Sequence, residues 1–164
     1  MASEGLRSNQ TKAWTFHAGD LASADVEALL DHHFAEMRAT SPPEACHVLP
    51  SDGLDDPAIT FWSVREHRAL LGIGALKELA PDHGEVKSMR TSPAALGRGV
   101  GRAMLLHIIA EARRRGYRRL SLETGGTEPF AAAIRLYESE GFVPCAPFGC
   151  YQATPFTRFF SLNL

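Results

Sequence analysis

The stretch TSPAALGRGVGRAM, Thr91 to Met104, constrains the fold of this chain more than any other. Gly97, Arg98, Gly99, Gly101 and Arg102 fall together, and an apolar helical pattern begins directly after them. Glycine in a helix interior costs about 1 kcal/mol relative to alanine, so three of them at a helix entrance require a reason. They can simply allow a tight turn. They can also form an anion cradle, in which backbone N–H groups approach a ligand with no Cβ in the way and the helix N-terminus adds partial positive charge. Arg98 and Arg102 would add formal charge on either side. A nucleoside-triphosphate loop needs Lys-Ser or Lys-Thr after its glycines, and neither follows here. A dinucleotide fingerprint, G-x-G-x-x-G, fails at its last glycine, because the sequence from Gly97 runs G-R-G-V-G-R.

The flanking pattern places this loop. AWTFHA (Ala13 to Ala18) reads as a short strand, and Ser23 as the N-cap of a helix with Asp25 and Glu27 in its first turn. Val26, Leu29, Leu30, His33 and Met37 share one face of that helix, which the prolines of TSPPE end. AITFWSV (Ala58 to Val64), ALLGIGALKEL (Ala69 to Leu79) and EVKSMRT (Glu85 to Thr91) read as an antiparallel meander. Strict alternation in the last places Val86, Ser88 and Arg90 on one side and Glu85, Lys87, Met89 and Thr91 on the other. Val100 to Arg115 is a helix with Ala103, Met104, His107, Ile108 and Ala112 facing inward, closed by Gly116. RRLSLET (Arg118 to Thr124) is a strand, so residues 85–124 form a β–loop–α–β unit whose right-handed crossover makes the two strands parallel. A further helix over Phe130 to Glu140 and final strands in FVPCAPF and FTRFFSLNL complete an α/β fold with a mixed, mostly antiparallel sheet.

A chain of 164 residues suits one core, so residues 13–164 read as a single domain behind a flexible N-terminus, 1–12. A net charge of −2 gives no basic excess for extended nucleic-acid binding. No apolar run of membrane-spanning length exists, and the polar N-terminus lacks a signal-peptide core, so the expected location is cytoplasmic, away from any membrane. Cys46, Cys145 and Cys150 fit no zinc spacing, and the adjacent His32 and His33 point to different sides of a helix, so no metal site is expected.

Pro93, Leu96, Gly97, Arg98, Gly99, Val100 and Gly101 resemble the acyl-CoA pyrophosphate loop of the GNAT superfamily of N-acetyltransferases, with Leu96 where Arg or Gln is usual. AIRLYESEGF, Ala133 to Phe142, resembles that family's Leu-Tyr-x-x-x-Gly-Phe helix, with Phe130 where Asn often stands. Taken alone, the tyrosine and Gly-Phe would read as core and C-cap. The resemblance implies a GNAT-type fold, acetyl-CoA as co-substrate and transfer of its acetyl group to a primary amine of a small molecule or peptide by direct attack. It implies that Leu96, Gly97, Arg98, Gly99, Val100, Gly101 and Arg102 hold the pyrophosphate, and that backbone groups of Met89, Arg90 and Thr91 hold the pantetheine arm along a strand splayed from its neighbour. Many relatives dimerise, often through C-terminal strands; FTRFFSLNL suits that role or the completion of the monomer's own sheet.

An amine with a pKa near 10 is mostly protonated at pH 7 and needs a base before it can attack a thioester. Tyr137 is the candidate acid for the departing thiolate. Glu85, six residues before Thr91, matches the position of a base glutamate in a subset of the family, and Glu78, Glu123 or a water are the alternatives. Glu123 sits mid-strand, where a carboxylate is uncommon unless paired or useful. The loop after the first helix commonly shapes the family's acceptor site, which makes Glu44 and His47 candidates for acceptor binding. Two other classes remain open: a non-catalytic acyl-CoA sensor, consistent with Leu96 and Phe130, and an interaction module using the Arg113 to Arg119 region.

Overall fold

The computed structural model describes residues 13–164; the flexible N-terminus expected over 1–12 lies outside the described residues. The chain runs β1 (Trp14–Ala18), α1 (Ala24–Thr40), β2 (Ile59–Glu66), β3 (Ala69–Ala80), β4 (His83–Thr91), α2 (Val100–Arg114), β5 (Arg119–Gly125), α3 (Ala131–Ser139), β6 (Val143–Pro144) and β7 (Thr157–Asn163). The strands form one mixed sheet in the order β1-β2-β3-β4-β5-β7-β6. β4 and β5 are parallel, as the β–loop–α–β pattern requires, and every other neighbouring pair is antiparallel.

Apolar periodicity accounts for the layering. Val26, Leu29 and Leu30 of α1 pack with Phe61, Ile73 and Ala75 on one face of the sheet. Met104, Leu105, Ile108 and Ile109 of α2 pack with Val64, Leu76, Val86 and Leu122 on the other, and α3 joins them through Ile134, Leu136 and Tyr137. Burial of each such aliphatic side chain contributes about 1.5–3 kcal/mol. Gly74 allows α2 its close approach, since a Cβ there would lie 2.6 Å from Met104 Cγ.

Two local expectations change. Ser23 occupies the N-cap of α1 but makes no capping bond; its hydroxyl donates instead to Asp20, which also binds Ser63 and Arg65. FVPCAPF contributes only the two-residue β6, because prolines at 144 and 147 deny the ladder donors there. FTRFFSLNL completes the chain's own sheet: β7 pairs with β5 over seven positions and with β6 on its other side.

Two irregularities shape the centre of the sheet. Ser88 has φ of 52°, and β4 holds one extra residue opposite β3 between the pairs Lys87–Ala75 and Arg90–Ile73. This bulge overturns the alternation expected along EVKSMRT. Glu85, Lys87 and Arg90 lie opposite Lys77, Ala75 and Ile73 and share the α1 face, whereas Val86 and Thr91 lie opposite Leu76 and Gly72 and share the α2 face. Glu85 therefore does not share a face with Thr91. The second irregularity is a splay. β4 and β5 pair only across His83–Glu85 and Arg119–Ser121, although β4 runs on to Thr91 and β5 to Gly125. β3 holds β4 on its far side and β7 holds β5 on its own, so the facing edges diverge and leave backbone groups available.

Candidate active site

A cavity of about 200 Å³ occupies the splay. It connects the two faces of the sheet: His33 and Met37 of α1 line it from one side, Ala133 and Tyr137 of α3 from the other, and Glu85 and Glu123 from the separated strands. The turn that follows β4 leads into the glycine loop. Gly97 and Gly99 have φ of 75° and 85°, which an L side chain rarely adopts, and a Cβ at either would meet nothing within 4 Å. Gly99 is the N-cap of α2 and makes no side-chain cap bond, so the first N–H groups of the helix lack intrahelical acceptors. An open, amide-lined helix start beside an unpaired strand edge fits a pyrophosphate joined to an extended, amide-containing arm.

The two loop arginines, expected to add formal charge on either side of the anion, are each ion-paired. Arg98 Nη2 donates to both carboxylate oxygens of Glu66 at 2.9 Å, and its guanidinium stands 5.8 Å from the Trp14 ring. Arg102 pairs with Glu140 and donates to Ser139 Oγ at 3.0 Å. Both tie the loop to neighbouring elements while keeping exposed guanidinium surface beside the loop amides. Leu96 is 67% exposed at the same turn.

The chemistry-bearing side chains converge in the cavity. Glu85 is buried, and its Oε1 accepts from Lys87 Nζ at 3.1 Å and from Tyr151 Oη at 2.5 Å. Lys87 also donates to Tyr151 Oη at 2.9 Å, closing a three-membered cluster. His47 lies edge-on to Tyr151 at 4.9 Å and also lines the cavity. Glu123 has no hydrogen-bond partner among the described residues. Burial, reinforced by the Glu85 charge and opposed by Lys87, pushes its carboxyl up to about 7. Tyr137, in edge contact with Phe142 at 6.1 Å, is pushed up to about 12 by burial and by Glu123. Burial likewise holds His47 below the usual imidazole range.

Of the expected residues, Glu85, Glu123, Tyr137, His47, Met89 and Arg90 meet at the cavity. Glu78 does not; it stands toward the far end of β3, accepting from Tyr117 Oη at 2.9 Å. Glu44 is exposed in a short 3₁₀ turn outside the lining, because its neighbour Ala45 is the residue that packs inward. Sequence reasoning missed Lys87 and Tyr151 as partners of Glu85. The i, i+2 spacing of Glu85 and Lys87 on one strand signals the first; Tyr151 lies in an aperiodic connection with no such signal.

A family model for the GNAT acetyltransferase family matches residues 25–142. The uncharacterized N-acetyltransferase YsnE of Bacillus subtilis (strain 168) is 49% identical over 145 residues, covering 88% of this chain and 96% of its own. Among solved structures, a Klebsiella pneumoniae protein assigned as an acyl-CoA N-acyltransferase has a TM-score of 0.75 at 25% identity, with 93% of this chain and 99% of that one aligned. The protein yncA from Salmonella typhimurium, assigned as an acetyltransferase and solved with its cofactor acetyl-CoA, has a TM-score of 0.67 at 22% identity, with 92% and 94% aligned.

Proposed function

The chain belongs to the GNAT acetyltransferase family, and from that premise we propose that it moves the acetyl group of acetyl-CoA to the primary amine of a small molecule or peptide by direct attack. The observation that carries this reading is the splay of β4 from β5, with a carboxylate and a phenol across it and a glycine-rich helix start at its mouth. The amides of Gly97, Gly99, Val100 and Gly101, with Leu96 and Arg102 at the edges of the turn, receive the pyrophosphate. Backbone groups of Met89, Arg90 and Thr91 receive the pantetheine arm in place of a neighbouring strand.

The amine nitrogen attacks the thioester carbonyl, a C–N bond forms and the C–S bond breaks. The amine proton goes to the Glu85–Glu123 pair. Glu123 is the member with an unengaged carboxylate, and a pKa of about 7 lets it take a proton near neutral pH. Glu85, at the position resembling the family's base, keeps Lys87 and Tyr151 in place, and its charge sustains the basicity of Glu123. Tyr137 donates its phenolic proton to the leaving thiolate; a high phenol pKa keeps that proton in place until sulfur charge develops.

Thiol release from acetyl-CoA, measured against amino acids, polyamines, aminoglycosides and short peptides, tests the reading. A hit above acceptor-free hydrolysis supports the enzyme; none across the panel favours a non-catalytic acyl-CoA sensor. With an acceptor in hand, Tyr137→Phe lowers kcat about 100-fold while acetyl-CoA still binds. Glu123→Gln removes the fall in rate below pH 7 together with most activity; the same losses in Glu85→Gln alone would move the base to Glu85.

A further inference from the structure

Two cations face the acceptor side of the cavity, and neither is fully used. Lys87 Nζ donates to Glu85 and Tyr151, which leaves one of its three protons. Arg90 reaches Glu36 and His32 through Nη2 alone, which leaves Nη1 and Nε without a partner among the described residues. The Ser88 bulge is what puts both on one face of β4, because strict alternation would have sent Arg90 to the other. A third group stands beside them. His33 is only 8% exposed and lines the cavity, yet its Nδ1 has no partner among the described residues. Burial and the Arg90 charge lower its pKa to about 4, so it offers a neutral donor or acceptor in a cationic setting. Among the described residues Glu85 and Glu123 are the only carboxylates in the lining, the first bound by two donors and the second reserved for the amine proton. An amine with several further positive charges would meet Lys87 and Arg90 as like charges.

We propose that the acceptor belongs to the amino-acid class: an amine carrying a carboxylate a few bonds from its nitrogen, with that carboxylate received by Arg90 and Lys87 and hydrogen-bonded by His33. A guanidinium presents a planar fork that matches a carboxylate, but both of its edges use Nη2, so Arg90 gives a single N–H from Nη1 or Nε while Glu36 holds Nη2 and a two-point contact once Glu36 turns away. Glu36, which now shares Arg90, has a side chain 43% exposed and lies outside the lining, so it can retain its own contact or turn to solvent. The amine then faces Glu123 and Tyr137 in the splay. This assignment rests on the acetyl-transfer reading above.

Matched acceptors test it. Each standard L-amino acid is compared with its own carboxamide, and spermidine is added as the polycation, in the thiol-release assay with acetyl-CoA. The best acid exceeds its amide by about tenfold or more in kcat/KM, mainly through KM, as loss of a charge-assisted contact implies. In Arg90→Gln and in Lys87→Met that ratio collapses to below about threefold. Preference for the amides or for spermidine overturns the proposal, as does a ratio that both variants leave unchanged. Thermal unfolding of the full chain with CoA present reads the same pairs as ligands without turnover. Stabilisation by acids over amides, lost in Arg90→Gln, upholds the carboxylate site even where no pair releases thiol, an outcome that instead sinks acetyl transfer. If no acid either reacts or stabilises better than its amide, the site does not exist.

Discussion

Glu123 shows at the scale of one residue what burying a carboxylate costs the fold. Its carboxyl, ordinarily near 4.5, is pushed up to about 7 in the fold. The folded state therefore holds a proton that the unfolded chain releases between those values. The cost is absent below pH 4.5, grows as pH rises, and is complete above 7, where it amounts to about 3 kcal/mol. Glu123→Gln accordingly raises the urea midpoint at pH 8 and leaves it nearly unchanged at pH 4; an equal gain at both values would show that the carboxylate is not strained by burial. The residue itself was legible in the sequence as an acid in the middle of an apolar strand. Its release from hydrogen bonding was not, because Lys87 and Tyr151 engage Glu85 instead, and Tyr151 is separated from Glu85 by most of two helices and two strands.

The glycine loop and the β4 bulge act at the scale of the element. Gly99 adopts φ of 85° with open space where a Cβ would stand, so Gly99→Ala pays about 1 kcal/mol of backbone strain and little packing cost. The melting temperature of the free protein then falls by about 2–4 °C, while calorimetric affinity for acetyl-CoA falls about tenfold or more, since the proposed cradle depends on that backbone conformation. A melting temperature that drops with unchanged affinity would remove the loop from cofactor binding. The loop could be read from glycine spacing and the onset of a helical pattern. The bulge could not: serine carries no signal for positive φ, and one inserted residue exchanges which side chains meet α1. That exchange decides whether Arg90 shares a face with Lys87.

At the scale of the whole molecule, the site exists because β4 and β5 are each held on their far sides, by β3 and β7. β7 enters the sheet between β5 and β6 rather than ending it, with Phe159 and Phe160 buried. Truncation before Thr157 therefore abolishes cooperative urea unfolding and near-UV circular dichroism instead of merely altering oligomeric state; a truncated chain that still unfolds cooperatively would show that β5 needs no outer partner. The sequence by itself determined the elements, the loop and their order, because hydrophobic period, glycine spacing and proline placement act over a few residues. It also determined the family resemblance and the presence of Tyr137, Glu85 and Glu123. Only the tertiary structure decided which of those groups meet. Strand register, the bulge at Ser88 and the gap between β4 and β5 arise from competition among neighbours distant in the chain, and that competition leaves Glu85 clamped, Glu123 without a hydrogen-bond partner among the described residues, and Lys87 and Arg90 on a common face.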